Sequence, residues 1–315
     1  MTLTRPAPAG TATDPGRRPQ TRRVTRPRWG RALGWLVVIL IMLVTLFPFY
    51  WMLRTALSSN ASLAEHPTSL LPTGLTFDGF RRALGQTTRE EALAQGGSGA
   101  AMHFWQYLAN SVVVATMITV CQVFFSALAA YAFARLKWPG RQVVFSVFLV
   151  GLMIPSIFTV LPNFVLIRNL GLLDTLPGIA LPTMLMTPFA VFFLRQFFLG
   201  IPAEIEEAAM IDGAGRMRCF FRIILPMAAP AVTTLAVLTY ITSWNDYLWP
   251  LLVSQSDRSR VLTLALGIFR AQTPASAPDW SGLMAATLLA ALPMLAVFLA
   301  FARRIVNSVG FTGIK

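Results

Sequence analysis

The chain of 315 residues is 55% hydrophobic and only 12% charged, with a mean hydropathy of +0.62. Soluble globular proteins carry about 25% charged residues, so this composition excludes that class and points to a polytopic membrane protein. The net charge of +13 does not mark a nucleic-acid-binding face, because eight arginines lie in the first 31 residues and the other cations flank apolar runs without forming one patch.

Residues 1–31 set Pro6, Pro8, Pro15, Pro19 and Pro27 among arginines and small residues, which predicts a disordered basic cytoplasmic tail able to touch anionic lipid. Arg17-Arg18 and Arg22-Arg23 raise the question of a twin-arginine export signal. Against it, the apolar run that follows is long enough to span and lacks a small-residue cleavage site. That run, 32–53, is the first predicted transmembrane helix, since about 20 apolar residues cross a hydrocarbon core of roughly 30 Å. An extracytoplasmic loop follows at 54–104, where Gly96, Gly97 and Gly99 read as flexible. Residues 105–305 hold five more spans, at 111–134, 143–166, 179–194, 226–253 and 281–302, and a cytoplasmic tail occupies 306–315. Pro155 and Pro162 are expected to break the third span, its second part turning along the outer surface, while Pro177 and Pro182 bound the short fourth. The fold class is therefore all-α with six transmembrane helices. With the amino terminus inside, 18 of the 26 lysines and arginines face the cytoplasm, which is where such residues are retained, and both termini are cytoplasmic.

Several chemistries find no residues to carry them. The first four spans and the sixth have no ionisable residue in their interiors, and the fifth has only Asp246 near its outer end, so no relay for a coupling ion is visible. A P-loop needs a lysine directly after a glycine, but Lys137 follows Leu136 and Lys315 follows Ile314. Cys121 and Cys219 have no metal-ligand spacing and form no disulfide framework, and His66 and His103 stand alone as solvated loop residues. No nucleophile with its base and no carboxylate pair is present, so the chain is not read as an enzyme. If it drives uphill transport, its motor is another polypeptide.

Against this background the stretch EEAAMIDGAGRMRCFFRIILPMAAPA, 206–231, is unusually rich in charge. Pro202 suits an early helical position, and Glu204, Glu206 and Glu207 complement the positive end of a helix dipole. This predicts a short helix ending at Asp212, a turn at Gly213 that favours positive φ, and a second helix over 216–225 with Met217, Phe220, Phe221 and Ile224 as its apolar face. Such a hairpin, in a cytoplasmic loop at 200–226, is either a docking knob for a partner or an amphipathic element lying on lipid.

The order E-A-A, three residues, G, nine residues, I-x-L-P is met without a gap by Glu207-Ala208-Ala209, Gly213, Ile223, Leu225 and Pro226. This resembles the EAA loop of ATP-binding cassette (ABC) importer permeases. The stretches YAFARLKWPGR, LGLLDTLPGIALP, FFLRQFF and SWNDYLWPLL are similar to the maltose-type, sugar-transporting branch, and the likeness covers about residues 105–315. The resemblance implies a type I importer permease fold in a bacterial-type plasma membrane. It also implies one of two homologous membrane subunits, working with a sister permease, an ATPase dimer that binds ATP and magnesium, and an extracellular or periplasmic solute-binding protein. No cofactor is expected on this chain.

By the same resemblance Glu207, Ala208, Ala209, Asp212, Gly213, Ile223, Leu225 and Pro226 couple to the ATPase. Glu207 orients the loop and contacts that subunit, and Asp212 caps or pairs locally, with Arg216 or with an ATPase side chain. In SWNDYLWPLL, Trp244, Tyr247 and Trp249 form an aromatic belt, or Trp244, Asn245 and Asp246 line the translocation path; one helix can do both on different faces. The segment 254–280 is a connector or, by resemblance, a loop reaching the binding protein, and the tail is expected at the ATPase interface by analogy alone. Competing readings are a permease for glycerol phosphate, a polyamine or a peptide, an ion-coupled secondary carrier, and a membrane scaffold without a transport role.

Overall fold

The computed structural model describes residues 28–97, 99, 102–272 and 278–310, so the two tails lie largely outside the described residues. Two compact units divide after Pro48. The first holds most of helix α1, Arg28–Ala56, whose apolar side chains are exposed from Trp29 to Tyr50, as suits a helix facing lipid.

Among the described residues of the second unit, 49–315, the regular elements are helices, joined by turns and loops, with one isolated bridge, Ser58 to Leu75. Its centre is α5, Phe104–Arg135, an unbroken helix of 32 residues without glycine or proline. Ala127, Ala130 and Ala134 bring its lower half close to α9, Pro188–Leu199, around Ala190, Val191 and Leu194. Small residues at a helix interface allow such close approach where lipid competes equally for larger apolar groups. Its upper half meets α15, Leu262–Ala271, and α16, Trp280–Gly310, through Tyr107, Ala115, Leu262, Ala285 and Ala286.

Three described helices are long and apolar enough to cross a membrane alone: Trp29–Ala56, Phe104–Arg135 and Trp280–Phe301. Three bent pairs meet the same length and composition when joined. The first is α6, Arg141–Val150 extended to Met153, with α7, Ser156–Asn169, bent by 101° at the expected Pro155 break. The second joins α8, Leu176–Met184, to α9 with a 47° bend, and is longer than the predicted 179–194 because Thr187 caps a new helix at Pro188. The third ends in α13, Ala229–Trp244. The predicted continuous run 226–253 is corrected here: α13 stops where the Asn245 amide nitrogen turns back to the Ile241 carbonyl (2.8 Å), and α14 restarts at Leu248–Val253.

The segment expected to be a flexible loop is ordered over most of its length. It carries α2, Asn60–Glu65, α3, Asp78–Ala83, and α4, Arg89–Ala94, the last with a complete capping box between Thr88 and Glu91. Arg82 and Asp279, both almost fully buried, clamp α3 to the start of α16 through two bonds of 2.9 Å. Arg82 also donates to Ser281 (2.7 Å) and Gln95 (2.9 Å), and the Asn60 amide donates to Asp279 (2.8 Å). Gly97 lies over this cluster where a Cβ would meet Arg82 Nε at 2.5 Å, so this glycine serves close approach, not flexibility.

A second staple joins the α7–α8 turn to the segment after α14. Asp174, in the left-handed region at φ 58°, accepts from the Gln255 and Ser256 amides (2.9 and 2.8 Å) and from the Ser259 hydroxyl. Burial pushes the carboxyl pKa up, but the Ser256 and Ser259 hydroxyls and the two amides outweigh it and hold the group well below its ordinary 3.8. A depressed carboxyl stabilises the fold above its unfolded value and loses that contribution only as pH falls toward the folded value. Asp174→Asn, which still tolerates the left-handed backbone, is expected to cost about 1–2 kcal/mol. The gap in thermal unfolding midpoint from the wild type should stay constant between pH 8 and 5 and narrow below about 3.8.

Candidate functional site

The hairpin begins at α10, Ala203–Ile211, after Pro202. It ends in a Schellman turn: the Gly213 amide bonds the Met210 carbonyl (3.1 Å) and the Ala214 amide bonds that of Ala209 (2.9 Å). Gly213 sits at φ 82°, as the sequence required. The second helix departs from the expected 216–225. It runs as α11, Arg216–Cys219, widens into a π turn over Phe220–Ile224, and closes with α12, Leu225–Met227. Pro226 cannot donate to the carbonyl four residues back, and the ladder widens just before it, with the Leu225 amide reaching Phe220. The bend into α13 is 77°.

Its predicted apolar face is also divided. Phe220 and Ile224 are fully buried, whereas Met217 and Phe221 are exposed, at 57% and 43%. Glu207, Ala208, Asp212, Gly213 and Pro226 are exposed, Ala209, Ile223 and Leu225 are partly buried, and Ile211 stands out at 87% exposure. One side of the hairpin thus presents Glu207, Ala208, Ile211, Asp212, Gly213 and Met217 with nothing from this chain packed over them. No ion pair joins Asp212 to Arg216 among the described residues; both are exposed.

Glu206, next to the predicted Glu207, points the opposite way and is 4% exposed. It accepts from the Tyr131 hydroxyl, and Arg135 Nε lies 3.6 Å from its carboxylate. Arg135 Nη2 donates to the Phe198 carbonyl (2.8 Å) and to that of Ile201, closing the end of α9. The Tyr131 ring packs on Phe220 with centroids 5.1 Å apart. Sequence reasoning used Glu206 only for the helix dipole and Arg135 only for orientation, and passed over Tyr131. The available signal was Tyr131 and Arg135 at i,i+4 spacing on the end of an apolar helix, a placement that puts both on one face.

Toward the other end of the spans, α5, α7, α8 and α13 line an open pocket of about 510 Å³. Gln122, Thr159, Asn163, Thr183, Thr187, Thr242 and Asp246 supply its polar lining, and the Gln122 amide donates to Thr187 across 3.1 Å. Among the described residues no lysine or arginine lines it. Of the three residues proposed for a path, only Asp246 reaches this cavity. Trp244 is buried against Tyr240, and Asn245 is exposed with its amide folded back on its own helix. Trp249 also borders the cavity and is fixed there by its indole N–H, which donates to the Ile179 carbonyl at 3.0 Å.

Residues 122–310 match the family described as binding-protein-dependent transport system inner membrane component. The chain is 31% identical over 279 residues to the diacetylchitobiose uptake system permease protein NgcG of Streptomyces coelicolor, covering 88% of this chain and 87% of that protein. It is 32% identical over 266 residues to the sn-glycerol-3-phosphate transport system permease protein UgpE of Brucella abortus, covering 84% and 90%. Among solved structures, a chain of a bacterial ABC transporter involved in the import of the acidic polysaccharide alginate superposes with a TM-score of 0.73 at 22% identity, over 88% of this chain and 96% of that one. That likeness is one of fold.

Proposed function

The chain belongs to the family of binding-protein-dependent transport system inner membrane components, and from that premise we propose that it conducts a neutral carbohydrate across the plasma membrane. It is a multi-pass permease subunit of an ABC importer and not an enzyme; hydrolysis takes place on a separate subunit. In the proposed arrangement six spans form, the three unbroken helices and the three bent pairs, with both termini in the cytoplasm. A sister permease completes the pathway, a solute-binding protein delivers the sugar, and an ATPase dimer holding ATP and magnesium grips the hairpin. Glu207, Ala208, Ala209, Asp212 and Gly213 meet the ATPase, while Ile223, Leu225 and Pro226 lead the movement into the fifth span.

The observation that carries the carbohydrate reading is the lining of the 510 Å³ cavity. Hydroxyls, amides and one acidic side chain match the donors and acceptors of a polyol, and Trp249 offers an aromatic surface. A phosphate ester would find no cation among the described lining residues of this chain, and burying such an anion unpaired is costly. Glycerol phosphate remains the second reading because the UgpE relatives are as similar in sequence as the sugar permeases. Mass spectrometry of the solute retained by the cognate binding protein decides between them: a neutral saccharide supports the proposal and a phosphate ester overturns it. Asp246→Ala is expected to lower saccharide uptake about tenfold, the equivalent of losing about 1.4 kcal/mol of hydrogen bonding. Uptake by this variant within twofold of wild type would take Asp246 out of the path.

A further inference from the structure

We infer that Tyr131, Arg135 and Glu206 form an anchor through which the second span, α5, takes up the movement of the coupling hairpin. This rests on the reading of the exposed hairpin face as the ATPase contact.

The hairpin is joined to the rest of the chain in two ways. Along the backbone it connects through Gly200-Ile201-Pro202 to α9 and through the 77° bend after α12 to α13. Both are breaks in the helical ladder, so no continuous run of helical hydrogen bonds crosses them. Through space it packs along the lower half of α5, where Phe221 stacks on Phe124 (centroids 6.5 Å), and its polar contacts to that helix fall on one turn. Tyr131 reaches both helices of the hairpin: its hydroxyl donates to Glu206 of α10 and lies 3.3 Å from the Arg216 carbonyl at the start of α11. Four residues on, Arg135 holds the Glu206 carboxylate and the last carbonyls of α9 together. Phe220 fills the space behind the tyrosine ring. The adjacent acids of the EEAA run thus divide the work, because neighbouring helix positions point about 100° apart: Glu207 faces outward and Glu206 inward.

Unlike the backbone connections, α5 is a single helix without glycine or proline. Gln122, which lines the cavity, stands nine residues before Tyr131 on that helix, about 13 Å along its axis at 1.5 Å per residue. A shift at the anchor therefore reaches the cavity through continuous hydrogen-bonded backbone. The anchor also has an unused bond. Arg135 Nε is buried without a hydrogen-bond partner among the described residues, 3.6 Å from Glu206. Approach by less than 1 Å would bring it into the 2.7–2.9 Å range of a charge-assisted bond. A tightened arrangement beside the open one seen here would make these three side chains the kind of bistable element that coupling between sites requires.

The test uses the complete transporter, this chain co-purified with its partner subunits and placed in proteoliposomes with the binding protein. Tyr131→Phe keeps the ring on Phe220 and removes only the hydroxyl; Glu206→Gln removes the charge. Each is expected to lower uptake per ATP hydrolysed at least fivefold. The double variant should lose no more than either single one, because both act on the same unit. In parallel, trypsin should cut at the exposed Arg216 and Arg218 several-fold faster in both variants, reporting a loosened hairpin. Faster cleavage with unchanged uptake per ATP would leave the contacts merely structural and overturn the inference, as would losses that add in the double variant. If Glu206→Gln fails to assemble, Tyr131→Phe decides alone. A wild-type complex that takes up no solute removes the transport reading itself and this inference with it.

Discussion

Asp279→Ala is expected to destabilise the protein by about 3–5 kcal/mol, enough to deplete it from the membrane fraction. Arg82 and Asp279 have side chains 3% and 0% exposed, and removing the acid leaves a guanidinium in the interior with no counter-charge. The Gly282 amide loses its acceptor at the same time, whereas the Asn60 amide keeps its bond to the Gly96 carbonyl. Each orphaned polar group adds its own desolvation cost, about 1–3 kcal/mol when fully buried. Burial of a pair does not itself make the pair stabilising, so Arg82→Met with Asp279→Leu should recover a large part of the loss, where either single change does not. Thermal unfolding of the detergent-solubilised protein measures all three. Equal stability of Asp279→Ala and wild type would show that the clamp between α3 and α16 carries no weight.

That clamp also shows what a single sequence hides. Arg82 and Asp279 are separated by 197 residues, and each reads locally as an ordinary polar residue near a span. The nearby glycines suggested slack for the same reason, since only the folded chain reveals that Gly97 clears space over the pair. Features written in local chemistry were legible: the apolar runs, the Pro155 break, the αL turn at Gly213 and the two-helix hairpin. Features that depend on helix phase or on assembly from several elements were not. Glu206 and Glu207 look alike until α10 is placed against α5, and the cavity's threonines and amides are each unremarkable in their own spans. The fifth span was read as continuous because Asn245 breaks it with a side-chain bond to its own helix, which hydropathy cannot register. The π turn at Phe220–Ile224 arises likewise from the missing amide of Pro226, which was read only as the entry to the next span.

Gly213 offers a graded test of the hairpin as the coupling element, because conformation and space separate cleanly there. An added Cβ would meet nothing within 4 Å, so the first side-chain atom has room in this chain. What remains is φ 82°, which costs an ordinary L residue about 1–2 kcal/mol and asparagine less. Uptake should therefore fall in the order glycine, asparagine, alanine, valine, with asparagine within about twofold of wild type and valine lower by roughly tenfold. Proline is different in kind: its ring fixes φ near −65°, and it removes the amide that bonds the Met210 carbonyl. Rebuilding the turn costs at least about 3 kcal/mol, or more than a hundredfold in the population of the native hairpin. Gly213→Pro should hydrolyse ATP with almost no uptake, since the ATPase is intact but its grip on the permease is misdirected. Wild-type uptake by Gly213→Pro would mean that the angle between α10 and α11 does not set coupling, and that the exposed face of the hairpin works without a fixed shape.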